Sequence, residues 1–415
     1  MCGISGYSLA QECLGTPQLA LEQSMKAISH RGPDDSGLYF DLNRKIGLSH
    51  TRLSIQDVSA AGHQPMLNED KDVIIILNGE IYNFLEIKSK LNKCKKINWN
   101  GNSDTEVVLQ LYLTIRNDKT KIIDFLKNLN GMYSIAIWDK KYETLFLARD
   151  PLGIKPLYYS SLLNGICFAS EIKSLQYLIS FIDPERSNFN NSAFDQLDYK
   201  AIDRYISFHW CPGKRTPFNY IKKVSPGEFL TVKSGKIISK NKWYLLPSPD
   251  NFNKYNRQSK LVSDTQLFLR KAVHRQMISD VPVGAFLSGG LDSSSVVAFA
   301  KEINPDIKCF TFANNYSSRE GFVDDLPYAK KVAEHLNVSL EILQINPFDF
   351  DSDFKSMIID LEEPLADLAP MNVFLISKLA RECGVKVLLS GAGGDDIFTG
   401  YRRHFALNTE SFWSW

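Results

Sequence analysis

Residues 286–295 read Phe-Leu-Ser-Gly-Gly-Leu-Asp-Ser-Ser-Ser: an apolar run breaks on two glycines and resumes as a serine-rich helix start. Gly289 and Gly290 permit backbone conformations that aim successive N–H groups inward, and the helix beginning near Ser293 adds its positive end, so the turn is a cradle for phosphate. Ser288, Ser293 and Ser294 add hydroxyl donors. Asp292 would repel a phosphate unless a hard cation lay between them, and Mg2+ is the natural bridge. The string is neither a Walker A loop, which needs Gly-Lys-Ser/Thr, nor a G-x-G-x-x-G turn.

Outward from this turn the period alternates. Gly284–Ser288 is a buried-strand candidate, and the helix after it carries Val296, Val297 and Ala300. Ile307–Phe312 is the next strand, Leu326, Ala329, Val332 and Leu336 a helical stripe, and Leu340–Ile345 a strand. Val373, Ile376, Ala380 and Cys383 make another stripe before the last strand, Val385–Leu389. Strands alternating with helices of this length predict a parallel sheet with helices on both faces, whose ligands sit at the carboxyl ends of strands. A second glycine turn, LLSGAGGDD at 388–396, lies at such an end and offers Asp395 and Asp396. Two acid-bearing glycine turns on one sheet edge suggest a nucleotide with Mg2+.

Upstream the character differs. The first two hundred residues hold short β-type runs, Val73–Leu77, Tyr133–Trp138, Thr144–Ala148 and Gly165–Ala169, interrupted by two predicted helices. Thr16-Pro17 starts one, ahead of Leu21, Met25 and Ile28. Ser103-Asp104-Thr105-Glu106 is a capping box for the other and sets Asp104 in its first turn. From Phe181 to about Lys260 the chain is polar and proline-broken, which reads as a connector with a few strands.

The length, 415 residues, predicts two or three domains. Lys+Arg 48 against Asp+Glu 47 gives a net charge of +1, so no chain-wide pull toward nucleic acid or an anionic membrane exists. No apolar run approaches membrane-spanning length and the amino terminus lacks a secretion signal, which makes the cytoplasm the default location. Seven scattered cysteines without a C-x-x-C pair argue against a disulfide framework or a zinc ribbon.

The chain opens Met-Cys-Gly-Ile. With Met1 removed, one residue would supply both a thiol nucleophile and, through its α-amine, the base for it. ILNGEIYN at 76–83 puts Asn78 and Gly79 at a strand end, where an amide and a backbone N–H would hold an oxyanion. Arg52 suits a carboxylate and Asp104 an ammonium. Together they describe hydrolysis of an amino acid's side-chain amide, and glutamine fits best.

Several strings carry a resemblance: MCGI at 1–4, HRGPD at 30–34, RLSI at 52–55, NGEIYN at 78–83, RDPLGIKPLYY at 149–159, SDVPVGAFLSGGLDSS at 279–294 and SGAGGDDIFTGY at 390–401. Collinear over essentially the whole chain, they resemble the glutamine-dependent asparagine synthetases. The resemblance implies a two-domain α/β protein, with an αββα N-terminal-nucleophile sandwich at 2–200, a connector at 201–260 and a doubly wound ATP-pyrophosphatase-type domain at 261–415. It implies Cys2 as nucleophile, Asn78 and Gly79 as oxyanion hole, and a glutamine site of Arg52, Leu53, Ser54, Ile55, Gln56, Asn78, Gly79, Glu80 and Asp104. For ATP and pyrophosphate it implies Phe286, Leu287, Ser288, Gly289, Gly290, Leu291, Asp292, Ser293, Ser294, Phe312, Ser390 and Gly391, with Mg2+ on Asp292 and Asp395. The partners implied are glutamine, ATP and a carboxylate acceptor, aspartate by default, with internal passage of ammonia and a homodimer as candidate assembly.

Two departures stand out. The chain ends at Phe412-Trp413-Ser414-Trp415, whereas the family continues through a long helical region, so an incomplete second domain is expected. Ala392 stands where the family commonly has an acidic residue, which leaves a sugar acid as an alternative acceptor, and the missing helical region leaves a glutaminase with a defective synthetase domain as an alternative activity.

Overall fold

A computed structural model describes residues 1–11, 16–43, 45–184, 196–247, 258–313, 325–344, 350–367 and 369–410; the closing residues 412–415 lie outside these. The chain divides into two compact units, Met1–Phe252 with Leu361–Asp367, and Asn253–Asp360 with Leu368–Trp415.

The first unit holds two six-stranded antiparallel sheets. Its strands are β1 (Gly3–Leu9), β2 (Asp35–Asp41), β3 (Ile46–Arg52), β4 (Met66–Leu67), β5 (Val73–Ile81), β6 (Gly131–Asp139), β7 (Thr144–Arg149), β8 (Tyr158–Leu162), β9 (Gly165–Ala169), β10 (Lys222–Lys223), β11 (Glu228–Lys233) and β12 (Lys236–Lys242). One sheet runs β10-β8-β9-β1-β3-β2 and the other β12-β11-β7-β6-β5-β4. Ile4, Leu48 and Phe168 of the first sheet meet Ile74, Ile76, Ala136 and Leu147 of the second in one buried core. A sheet buried on both faces reads as a continuous apolar run. Val73–Leu77 is such a run, and every residue in it is buried.

Helices cover the outer faces. Ala20 and Leu21 of the helix Pro17–Ala27, with Leu175, Leu178 and Ile179 of the helix Ile172–Ile182, pack on Tyr7, Leu9 and Cys167 of the first sheet. Beyond the second sheet lie the helices Phe84–Cys94, Asp104–Ile115 and Ile122–Asn128. Tyr112 and Phe125 meet edge to face there at 5.9 Å, and Tyr112 donates to Asp139 at the end of β6. The result is a four-layer αββα sandwich of N-terminal-nucleophile hydrolase type.

Two expectations need correction. Where two helices were expected to interrupt the sheets, Phe84–Cys94, Ile122–Asn128 and Ile172–Ile182 are helical as well. Within the stretch read as a connector, the hairpin β11-β12 adds to β7 and extends the second sheet, with Phe229 opposite Ala148.

In the second unit β13 (Val283–Phe286), β14 (Lys308–Ala313), β15 (Ser339–Gln344) and β16 (Val387–Leu389) form a parallel sheet in the order β15-β14-β13-β16. The helices Gln258–Gln276, Leu291–Lys301 and Leu326–Leu336 pack through Val273, Val297 and Ala329 around Ala285 and Cys309. Ile376 and Ala380 of the helix Ala369–Glu382 pack separately against Phe310 and Val385. Because the order reverses between β13 and β16, the crevice at their carboxyl ends is the topological switch point where α/β sheets bind ligands. Both glycine turns lie at that crevice.

Candidate active site

Cys2 immediately precedes β1, an inner strand between β9 and β3, and the start of that strand delivers its thiol to one end of the sandwich. Leu53 N–H donates to Cys2 Sγ at 3.4 Å, and the thiol lies 3.7 Å from Leu53 O. Burial pushes the thiol above its ordinary pKa, against the pull of Leu53 and of the amino terminus. The Met1 amine is held at about 5, again chiefly by burial, with the Lys155 and Arg31 cations acting in the same sense. The Met1 amine is therefore neutral at pH 7.

Cys2 lines a cleft together with Arg52, Leu53, Ile55, Gln56, Gly79, Glu80 and Asp104. Arg52 ends β3 and is braced by three carbonyl oxygens, those of Ser59 at 3.0 Å, Gln56 at 3.2 Å and Asp57. Those acceptors fix the guanidinium in one pose while leaving its charge uncompensated by any carboxylate contact of that set. Gly79 lets β5 lie close to β6, since a Cβ there would strike the Met132 carbonyl oxygen. Opposite in charge to Arg52 are two carboxylates. Asp104 accepts from Ile81 N–H at 2.8 Å yet is pushed up to about 6 by burial. Burial, and then Asp104, raises Glu80 well above the usual carboxylate range, and its Oε2 has no hydrogen-bond partner among the described residues. Two buried carboxylates that resist ionising together are a site waiting for a cation. Gln56 is likewise buried with both amide atoms unpartnered among the described residues.

Two expected site residues are not on the cleft wall. Ser54 donates its backbone N–H to Asp34 Oδ2 at 2.8 Å. Asn78 is fully buried, its Nδ2 donating to Ser170 Oγ at 3.2 Å and its Oδ1 unpartnered among the described residues. The cleft also takes in Gly62, Gln64, Leu77, Ser103 and Thr105, which sequence reasoning did not single out as binding residues. Gln64 bridges Leu77 N–H at 2.7 Å and the Thr105 hydroxyl at 3.1 Å, so it ties β5 to the helix that bears Asp104. No local periodicity marks that role. Lys155, from the RDPLGIKPLYY string, is buried with its Nζ 2.8 Å from Met1 Sδ, and burial lowers it to about 8.

In the second unit, Gly289 (φ +84°) makes the turn after β13, and a Cβ there would run into the Tyr328 backbone. Gly290 caps the helix Leu291–Lys301 with no side-chain hydrogen bond, leaving first-turn N–H groups for an anion. Ser288 and Ser293 hydroxyls lie 3.0 Å apart, and Ser294 donates to Gly290 O at 2.7 Å. The two glycine turns meet: a Cβ on Gly391 would stand 2.7 Å from Ser293 N, and one on Gly394 would overlap the Asp292 carboxylate. Ser390 Oγ accepts from Ala392 N–H at 3.1 Å, and Leu291 is exposed at the turn. Leu287 is buried in the core between helices and sheet, while Phe286 and Phe312 pack half-buried on the other face. Asp395 is turned toward Gly400. Among the described residues no three His, Cys, Asp or Glu side chains cluster to hold a metal. That donor set does not make an all-protein cage; it suits an ion held by one or two carboxylates and by substrate phosphates.

An αββα unit with a thiol at its first strand, joined to a parallel sheet with paired glycine turns at its switch point, places the chain among two-domain amidotransferases of the N-terminal-nucleophile class. Residues 1–244 match the glutamine amidotransferase domain family and residues 265–415 match asparagine synthase. The chain belongs to the family of glutamine-hydrolysing asparagine synthetases. It is 34% identical to asparagine synthetase [glutamine-hydrolyzing] 1 of Bacillus subtilis, over 97% of this chain and 59% of that protein. It is 36% identical to the putative asparagine synthetase [glutamine-hydrolyzing] 2 of Methanocaldococcus jannaschii, over 97% of this chain and 76% of that one. Amidase chry2 of Gibberella zeae is 30% identical, over 97% and 59%. The chain thus spans about three fifths of the Bacillus and Gibberella relatives. Among solved structures, the glutamine phosphoribosylpyrophosphate amidotransferase of B. subtilis complexed with ADP and GMP aligns with a TM-score of 0.42 and 16% identity, covering 94% of this chain and 91% of that one.

Proposed function

We propose that the first unit hydrolyses glutamine and that the second uses the ammonia, with ATP, to convert a carboxylate into an amide, aspartate being the acceptor. The observation that carries the first half is the single cleft in which Cys2, Arg52, Gly79, Glu80 and Asp104 meet. Arg52 binds the glutamine α-carboxylate, and Glu80 with Asp104 holds its ammonium, which restores both carboxylates to their ionised forms. These opposed charges leave the side-chain amide directed at Cys2.

In the first step Cys2 Sγ bonds to the amide carbon. With Met1 removed, the thiol proton passes through the α-amine of Cys2 to the departing nitrogen, and ammonia leaves. Gly79 N–H and Asn78 Nδ2, which exchanges Ser170 for the new oxyanion, stabilise the tetrahedral intermediate; one such donor is typically worth about 10²–10³ in rate. Water then cleaves the thioester to glutamate and regenerates the thiol.

For the second half, the acceptor carboxylate attacks the α-phosphorus of ATP. The 288–294 turn, with its serine hydroxyls and first-turn N–H groups, receives the pyrophosphate, and ammonia displaces AMP from the acyl adenylate. Asp292 and Asp395 would hold Mg2+, which would supply charge neutralisation for the phosphates. Phe286, Leu287, Phe312, Ser390 and Gly391 surround the adenylate in this reading, and Leu291 flanks the turn.

The test is the Cys2→Ala variant. Glutamate release from glutamine should vanish, while synthesis of asparagine and AMP from aspartate, ATP and ammonia continues. Glutamate release unchanged in the variant would refute the nucleophile. Failure of the native protein to form any amide with ammonia, while still releasing glutamate, would reduce the function to glutamine hydrolysis.

A further inference from the structure

Residues Leu361–Asp367 belong to the first unit, although the chain before them, the helix Phe350–Asp360, and after them, from Leu368, belongs to the second. Two adjacent carboxylates hold the segment there. Glu362 Oε2 accepts from Ile172 N–H and, at 3.1 Å, from Lys173 N–H, so it caps the start of the helix Ile172–Ile182. Its Oε1 lies 3.7 Å from Lys173 Nζ. Glu363 accepts from Lys223 Nζ at 2.7 Å and from the Tyr158 hydroxyl at 3.0 Å.

The natural cap of that helix is Glu171, the residue before it, yet Glu171 makes no capping hydrogen bond. Its carboxylate is turned instead to Arg31 Nη1 at 2.7 Å, His30 Nε2 at 3.1 Å and Lys173 Nζ at 3.1 Å. Burial alone would raise Glu171, but His30 and Arg31 more than offset it and hold the group at about 2. Arg31 in turn donates from Nε to the Cys2 carbonyl oxygen at 2.9 Å. Direct contacts therefore run from Glu362 to the helix start, to Glu171, to Arg31 and to the main chain of Cys2. Without Glu362 the orphan N–H groups of the helix would attract the nearest anion, and that anion is Glu171.

We propose that Glu362 is a positioning residue for Cys2: by capping the helix Ile172–Ile182 it leaves Glu171 to hold Arg31, which fixes the main chain of the nucleophile. A segment that interrupts the second unit thereby completes the site of the first. The proposal rests on the reading of Cys2 as the glutamine-cleaving thiol.

The experiment uses the full chain and the variants Glu362→Ala and Glu362→Gln. It measures kcat and KM for glutamate release, and the rate at which a diazoketone analogue of glutamine labels Cys2. The alanine variant should lose about tenfold or more in kcat and in labelling rate, the scale of effect a small misplacement of a reacting group produces, with KM within about twofold. The glutamine variant, whose amide oxygen still accepts both N–H bonds, should recover most of that loss. Native kcat and labelling in the alanine variant would overturn the proposal, as would equal impairment of the alanine and glutamine variants. Should the alanine variant not fold, Glu171→Ala removes the acceptor for Arg31 with the helix still capped, and unchanged kcat and labelling there would overturn it too. If the native protein releases no glutamate, the glutaminase reading fails and the proposal with it; glutamate release at the native rate by Glu362→Ala refutes the positioning role alone.

Discussion

Asp104 and Glu80 show what a buried carboxylate pair is for. Each resists ionisation in the cleft, Asp104 at about 6 through burial and Glu80 well above its ordinary value through burial and then repulsion by Asp104. On the proposed reading only the ionised pair attracts the ammonium of glutamine, and kcat/KM reports ionisations of the free enzyme. As pH falls from 7 through 6, protons bind the pair, the ammonium site is lost and kcat/KM should drop, approaching about tenfold per pH unit for a single controlling group. Asp104→Asn should lower kcat/KM at pH 7 and flatten that limb of the profile. A native profile level between pH 7 and 5 would contradict the assignment. At this scale the sequence was informative about charge but not about pose. Arg52 and Asp104 could be matched to a carboxylate and an ammonium by chemistry, whereas Asn78 facing Ser170 and the Ser54 N–H bonded to Asp34 depend on strands far apart in the chain.

The helix Asp104–Ile115 shows how an element carries a site residue to its place. Ser103 caps it, accepting from Thr105 N–H at 3.0 Å and Glu106 N–H at 3.4 Å. The expected capping box is only half made, for Glu106 reaches instead to Asn100 N–H at 2.8 Å and Gly101 N–H at 3.0 Å and folds the preceding loop onto the helix. Ser103→Ala should cost about 1 kcal/mol in a denaturation midpoint experiment, the typical worth of such a cap. Because Asp104 is the first residue of that helix, KM for glutamine should rise alongside; an unchanged midpoint would show the cap to be idle. The helix was legible from its cap and its apolar spacing. The hairpin β11-β12 was not, since its partner β7 lies about eighty residues earlier and strand pairing at that range leaves no local period. Phe84, Ile87 and Leu91 did carry a helical spacing, and all three are buried.

Across the whole molecule each unit has its own buried core, the inter-sheet cluster around Ile4 and Ile76 in the first and the cluster around Ala285 and Cys309 in the second. Units with separate cores tolerate damage separately. Asp292→Ala should therefore abolish ATP-dependent amide synthesis while glutamate release proceeds within about twofold of native, a local surface change away from the first core being worth little to it. Loss of glutamate release in a folded Asp292→Ala protein would contradict that independence. The parallel sheet was legible because its strands and helices alternate in sequence order. The membership of residues 361–367 in the first unit was not, because it rests on Glu362 and Glu363 finding partners almost two hundred residues upstream.

Everything in the functional account depends on one sulfur. Exposing the processed native protein to an electrophilic glutamine analogue and locating the adduct by mass spectrometry addresses it directly, with the exposed Cys94 as an internal control for indiscriminate alkylation. A single adduct on Cys2, prevented by excess glutamine and accompanied by loss of glutamate release, is the predicted result. No adduct, or one on Cys94 with Cys2 untouched, would contradict the account.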